Sequence, residues 1–127
     1  MEGYQDGYGK FIDAGGGFYE GEWVRGMQDG FGTEIFASGE RYEGQFKQGV
    51  KEGKGKYMWP SGSEYTGEFT NNLQHGTGIM IYSNRKKYEG EWLNGAKHGI
   101  GTLTYPDGGI YMGSFVNGVK EGKGRMI

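Results

Sequence analysis

The feature that most constrains this chain is a five-residue pattern that returns every 23 residues. The pattern is tyrosine, any residue, glycine, any residue and a second aromatic residue or its equivalent, and it spans residues 19–23. It recurs at residues 42–46, 65–69, 88–92 and 111–115. A second pattern, Gly-x-Gly, keeps the same step along the chain. A fixed period of this length is typical of repeat proteins, in which each unit packs against its neighbours.

Glycine is unusually abundant, at 29 of 127 residues. Glycine-rich chains without a period are usually disordered, but most of these glycines occupy fixed columns of the repeat. The chain also has ten tyrosines, seven phenylalanines and three tryptophans, which supply the apolar surface that a disordered chain lacks. The composition therefore indicates a folded repeat array.

The pattern within one unit predicts a β-hairpin. Phe18–Val24 carries aromatic residues at period two, which indicates a strand, and frequent glycines disfavour a helix. Arg25–Gly30 is predicted to be a loop, Phe31–Phe36 the returning strand, and Ala37–Glu40 the turn into the next unit.

The predicted fold is therefore all-β. We expect an elongated single-layer antiparallel sheet of consecutive hairpins, with about 11 strands in a twisted, solenoid-like ribbon roughly 50 Å long. One array covers residues 1–127, beginning with a half unit at residues 3–17. In that half unit, residues 3–7 are predicted to form a loop and Tyr8–Ile12 a strand. The units that follow span about 18–40, 41–63, 64–86, 87–109 and 110–127.

The two faces of the predicted sheet differ. Alternation places Tyr19, Gly21 and Trp23 on one face and the glutamates between them on the other, which is expected to be mostly polar and acidic. We expect Phe36, from a neighbouring strand, to cover the bare backbone at Gly21. Because a single-layer sheet cannot fully cover its own apolar face, a partner is expected to lie on the aromatic side.

The pattern Tyr-x-Gly-x-Trp/Phe, followed by glycine and then by Asp/Glu/His-Gly-x-Gly, resembles the MORN repeat. The resemblance covers essentially the whole chain. Proteins with such repeats include ciliary and radial-spoke proteins, junctophilins, plant phosphoinositide kinases, parasite cytoskeletal scaffolds and retinal proteins that bind myosin tails. The resemblance implies a non-enzymatic hairpin array used for binding and scaffolding, in a cytoskeletal, ciliary or membrane-associated assembly.

The repeated aromatic residues are predicted to bind a protein segment, in particular an amphipathic helix. They recur about every 10 Å along the sheet, which matches two helical turns of about 5.4 Å each. Tryptophan and tyrosine are also common anchors at interfaces. The predicted protein-binding residues are Tyr19, Trp23, Phe36, Tyr42, Phe46, Trp59, Tyr65, Phe69, Tyr82, Tyr88, Trp92, Tyr105, Tyr111 and Phe115.

A second hypothesis is a peripheral membrane or phosphoinositide-binding adaptor. Its predicted lipid contacts, if their strands are neighbours, are Lys54, Lys56, Arg85, Lys86 and Lys87. Such a patch supplies about 1 kcal/mol per cation at an anionic surface, so direct membrane binding is expected to be weak or absent. A third hypothesis is a regulatory repeat module of a larger enzyme.

The other motifs predict no catalytic residue, metal or cofactor. Glutamate pairs such as Glu20 and Glu22 recur along the array, which is typical of a solvated face. His75 and His98 are predicted to be loop residues about 10 Å apart, too few and too distant for a metal site. The Gly-x-Gly sequences lack the following helix that nucleotide binding requires. Without cysteine, a disulfide framework and a thiolate zinc site are excluded.

Charge and hydropathy narrow the expected setting. A net charge of -2 gives no footprint for nucleic acid. The lack of a signal peptide or a long apolar run favours a cytoplasmic location, with cytoskeletal or ciliary association. Because both terminal strands would have unpaired edges, we expect end-to-end self-association or continuation into flanking repeats.

Overall fold

The computed structural model describes residues 6–127, apart from the side chain of Lys123. Residues 3–5 of the predicted half unit lie outside the described residues. The described chain has no helix, and its eleven strands pair in chain order as one antiparallel sheet, so the predicted fold class is confirmed. At about 4.8 Å per strand, the ten spacings give a sheet about 48 Å long. The strands are β1 (Gly7–Ile12), β2 (Phe18–Val24), β3 (Met27–Ile35), β4 (Arg41–Lys47), β5 (Val50–Met58), β6 (Glu64–Thr70), β7 (Leu73–Ile81), β8 (Lys87–Leu93), β9 (Ala96–Thr104), β10 (Ile110–Val116) and β11 (Val119–Met126).

The predicted loop after the first strand of each unit is shorter than expected. Val24 pairs directly with Met27, so only Arg25 and Gly26 form the connection. Both residues have positive φ, 52° and 78°, which is the conformation of a two-residue type I′ hairpin turn. The prediction of a loop over Arg25–Gly30 is therefore wrong, because the returning strand begins at Met27.

A β-bulge explains why the start of the returning strand resembles a loop in sequence. Gly21 pairs with Gly32 and Trp23 pairs with Gln28, so Glu22 alone faces the three residues between them. The Glu22 carboxylate accepts a hydrogen bond of 2.8 Å from the Phe31 backbone N–H within the bulge. The equivalent acceptors in the next three units are Gln45, Glu68 and Glu91.

Replacing Glu91 with alanine is expected to lower the free energy of unfolding by about 1 kcal/mol, because the bond of 2.7 Å to the Ile100 N–H is lost. Glu91→Gln is the matched control, since Gln45 makes the same bond at 2.8 Å in its own unit. Chemical denaturation of both variants checks the effect. Equal losses for the two variants would show that the bond to the bulge contributes nothing.

A row of glycines crosses the whole sheet. Glycines from neighbouring strands face each other in the ladder, as Gly21 faces Gly9 on one side and Gly32 on the other. The Tyr19 ring lies over this bare backbone, so a methyl group at Gly21 or Gly32 would overlap it. The Tyr19 hydroxyl donates a hydrogen bond of 2.8 Å to the carbonyl oxygen of Glu22. The prediction that Phe36 covers Gly21 is wrong, because the tyrosine of the same strand reaches it first.

The tyrosines form a continuous ladder with the second aromatic residue of each unit. Tyr42 packs edge-to-face on Phe46 in its own strand and on Phe69 in the next unit, with ring centroids 5.0 and 5.1 Å apart. Such contacts add about 0.5–1.5 kcal/mol each beyond the burial of their area. The ladder supplies most of the core of this single layer, and Met80 and Leu103 complete it.

Candidate functional site

The sheet presents two surfaces of different chemistry. The aromatic face carries the tyrosine ladder. The groove face is the opposite side, and it carries the residues that alternate with the ladder, such as Glu20 and Glu22. Each surface is a candidate binding site.

The aromatic face is largely closed by its own packing. Tyr42, Tyr65 and Tyr88 are completely buried, and the other ladder residues are at most 9% exposed. Ten of the fourteen predicted protein-binding residues therefore lie in the core: Tyr19, Trp23, Tyr42, Phe46, Tyr65, Phe69, Tyr88, Trp92, Tyr111 and Phe115. The other four are half-buried and form an aromatic rim: Phe36, Trp59, Tyr82 and Tyr105. Of the fourteen predicted residues, therefore, only the aromatic rim offers surface to a partner without a change in packing.

Burial raises the pKa of four ladder hydroxyls, those of Tyr19, Tyr42, Tyr65 and Tyr88. It raises the pKa of Tyr19 to about 12, and the nearby carboxylate of Glu22 adds to the rise. Burial likewise raises the pKa of Tyr88 to about 12. Because a neutral tyrosine has a proton to donate, each of these hydroxyls keeps its hydrogen bond to a backbone carbonyl oxygen. The ladder hydroxyls thus serve packing rather than proton transfer.

Lysines cover part of the aromatic face, which the sequence analysis missed. The Lys51 ammonium lies 5.2 Å from the ring centroid of Phe36, Lys97 lies 5.1 Å from Tyr82, and Lys120 lies 4.7 Å from Tyr111. Burial lowers the pKa of Lys51, an effect that the carboxylate of Glu34 opposes. The three lysines share one column of the repeat, and this regularity was a signal available in the sequence.

The groove face is less acidic than predicted. The prediction considered only the first strand of each hairpin, but the returning strand also places every other side chain on this face. It places Phe31 and Ile100 there, with 59% and 63% of their surface exposed. Exposed apolar residues also flank the hairpin turns, on either side of them in sequence, and form one margin of this face: Val24, Met27, Leu73, Leu93, Val116 and Val119.

A groove of about 650 Å³ runs across β3–β8 on this face. Its floor is the glycine row, formed here by Gly44, Gly55, Gly67, Gly78 and Gly90. One wall is formed by Glu43, Lys56, Thr66, Ile79 and Glu89, and the other by Phe31, Lys54, Glu68 and Thr77. The groove combines apolar and charged groups over a floor without side chains, which is typical of a binding site.

The two histidines lie in strands, so the prediction that they are loop residues is wrong. His75 is in β7 and His98 in β9, where they line a smaller cavity of about 320 Å³ with Glu68 and Trp92. Among residues 6–127, no group of three or more suitable side chains is placed to hold a metal ion. Glu68 and Thr77 line both cavities, so the smaller cavity is an extension of the groove.

The glutamate pairs have a structural role that the sequence analysis missed. In each pair the second carboxylate bonds to the bulge, as Glu22 does to Phe31 and Glu91 does to Ile100. The other carboxylate stays on the surface, where Glu89 lies 3.8 Å from Lys87. The two members therefore differ in their partners, but neither faces an enclosed reaction site.

The predicted basic patch is not assembled. Lys54 and Lys56 lie on β5 and Lys87 lies on β8, so β6 and β7 separate them by three strand spacings, about 14 Å. Lys56 also pairs with Glu64 at 3.3 Å. Lys86 lies over the Tyr82 ring on the other side of the turn. The lipid contacts were predicted on the condition that these strands are neighbours, and that condition is not met.

Within the described part of the chain, nothing has the length and apolarity of a membrane-crossing helix.

Comparison with known families gives a consistent result. The model of the MORN repeat matches residues 1–18, 19–41, 42–64, 65–86, 88–110 and 111–127, which together cover nearly all of the chain. A search of curated proteins gave no match. MORN repeats generally form non-catalytic binding modules. The repeat matches and the hairpin sheet together show that this chain belongs to the MORN-repeat family.

Proposed function

We propose that this protein is a non-enzymatic scaffold whose groove binds a helical segment of a partner protein. The observation that carries the proposal is the groove of about 650 Å³ over the glycine row. The aromatic ladder, which the sequence favoured as the binding surface, is occupied by its own contacts. The groove face instead has exposed apolar side chains and an open floor.

The hydrogen bonding of the floor favours a helix over an extended peptide. Gly44, Gly55 and Gly67 lie in the interior of the sheet and are paired with glycines on both neighbouring strands. Their strands therefore have little backbone capacity left for an incoming strand. A helix satisfies its own backbone groups internally and needs only side-chain contacts. An amphipathic helix also suits this face. Its apolar residues can contact the margin beside the hairpin turns while its polar residues contact the opposite wall of the groove.

Site-specific photo-crosslinking tests the proposal. A photoreactive phenylalanine analogue at Thr66, which is exposed on the groove wall, is expected to crosslink a partner in cells. The matched control carries the same analogue at Trp59, a half-buried residue of the aromatic rim. Crosslinks at Trp59 and none at Thr66 would instead support binding on the aromatic rim. Mapping the crosslinked peptide then shows whether the captured segment is amphipathic at helical spacing.

The setting of this scaffold is a separate part of the proposal. We propose a cytoskeletal, ciliary or membrane-associated assembly, because this is the setting that the resemblance to the MORN-repeat family implies. Because the basic residues are spread over β5 and β8, we propose protein partners rather than direct lipid contact. A vesicle flotation assay checks this point: strong binding to anionic vesicles at physiological salt would contradict it.

A further inference from the structure

The charges on the groove walls are not evenly distributed. On β5 both residues that flank the floor are lysines, Lys54 and Lys56. On β8 both are glutamates, Glu89 and Glu91, of which Glu91 also accepts the hydrogen bond from the Ile100 N–H. The part of the groove between β5 and β8 therefore has a basic end and an acidic end, three strand spacings or about 14 Å apart.

The middle of the groove, on β6 and β7, carries fewer charged residues and smaller side chains than its two ends. On β7 both flanking residues are neutral, Thr77 and Ile79, and on β6 one of the two is Thr66. Glu68, the other residue on β6, turns its carboxylate to the Thr77 N–H at 3.2 Å. Short side chains over a glycine floor allow a helix backbone to approach closely there.

The nearby opposite charges leave this polarity in place. Lys56 pairs with Glu64, and Lys87 lies 3.8 Å from Glu89, but the side chains of both pairs are about half exposed. Exposed pairs of this kind are worth little, so each ion remains available to a partner. Glu43 faces Lys56 across the ladder and Glu68 faces Lys54, but Glu43 is itself paired with Arg41, and Glu68 accepts the hydrogen bond from the Thr77 N–H.

From this charge pattern, and resting on the proposed function, we infer that the groove selects an amphipathic helix with acidic residues in its first turn and basic residues about three turns later. Three turns span about 16 Å, close enough to the separation of about 14 Å for flexible side chains to bridge the difference. The acidic turn lies over Lys54 and Lys56, and the basic turn lies over Glu89 and Glu91. The residues between are small or apolar.

The same pattern sets the direction of the bound helix. Acidic residues stabilise the N-terminal turn of a helix and basic residues its C-terminal turn. A partner helix with this natural distribution runs from β5 towards β8, parallel to the order of the repeats. Its apolar side faces the margin formed by residues such as Leu73 and Leu93.

Designed peptides test the inference directly with the whole chain. The reference probe is a capped, alanine- and leucine-based helical peptide with two glutamates in the first turn and two lysines eleven positions later. A control probe of the same composition holds all four charges in its central turns. At low ionic strength the reference probe is expected to bind at least about fivefold more tightly than the control, a difference that 0.5 M salt removes.

Reversing the groove charges provides the second measurement. Lys54→Glu and Glu89→Lys alone are each expected to weaken the reference probe about fivefold. The double variant keeps the net charge of the chain but leaves one lysine and one glutamate at each end, which cancels the polarity of the groove. The reference probe is then expected to lose its advantage, so that the two probes bind within about twofold of each other. Glu91 is left intact in these variants because it bonds to the bulge.

The outcomes separate this inference from the proposed function. If both probes bind equally, or if neither single reversal changes the affinity, the charge polarity is wrong while binding in the groove stands. If neither probe binds, and no partner crosslinks at Thr66, both the inference and the proposed function fail.

Discussion

Replacing Tyr65 with alanine is expected to lower the free energy of unfolding by about 3–5 kcal/mol, the range for truncating a buried aromatic residue. Tyr65 is completely buried, and its ring packs edge-to-face on Phe69 and Trp92, both with centroids 5.1 Å away. The substitution also uncovers the glycine row beneath the ring. Urea denaturation, monitored by tryptophan fluorescence and by circular dichroism, measures the loss of stability.

Two controls assign that loss to the ring. Tyr65→Phe keeps the ladder and removes only the hydrogen bond of 2.9 Å to the Glu68 carbonyl oxygen, at a cost of about 1 kcal/mol. Glu64→Ala removes a half-exposed pair with Lys56 and is expected to cost less than about 1 kcal/mol. Similar losses for Tyr65→Ala and Glu64→Ala would mean that the ladder does not form the core.

Replacing Gly44 with alanine is expected to cost about 3 kcal/mol, the upper part of the range for overpacking. A methyl group there would lie 2.5 Å from the Gly55 Cα, 2.6 Å from the Tyr42 hydroxyl and 2.7 Å from the Lys54 carbonyl oxygen. Two of these neighbours are backbone atoms of β5, which cannot move without opening the ladder between β4 and β5. Thermal or chemical denaturation measures the loss.

Gly15 provides the matched control, because a methyl group there meets only the Asp13 carboxylate, at 3.8 Å or more. Gly15→Ala is expected to change the stability by less than about 0.5 kcal/mol. If Gly44→Ala is tolerated as well as Gly15→Ala, close approach at the glycine row is not required for folding.

The repeat period carried most of the information about the fold. Because each unit repeats one hairpin, the pattern in residues 19–23 predicted the strand, its faces and the order of the sheet. The turn was harder to delimit. The bulge in this unit places Gly30 at positive φ, and loops often use a glycine in the same conformation. Sequence composition alone does not distinguish the two, so Met27–Gly30 resembled a loop.

The candidate site was less predictable, because it depends on side-chain directions and not on strand order. Tyr19, in the same strand, and Phe36, after the neighbouring strand, were both candidates to cover Gly21, and in the structure Tyr19 is the one that lies against it. Once Tyr19 covers the glycines, the aromatic residues become core and the opposite face becomes the open one. The groove then arises from residues on six different strands, whose joint arrangement no single motif records.

The tyrosine ladder also sets how this protein loses its structure. Tyr42 contacts an aromatic residue of its own unit and one of the next, so each unit is clamped to its successor by the same type of contact. In a linear array of this kind, stability is a sum of unit and nearest-neighbour terms, and unfolding proceeds from a boundary. Fraying at an end breaks one clamp, whereas melting an internal unit breaks two. Opening is therefore expected to advance inward from the ends like a zipper, and the central units exchange their amide hydrogens last.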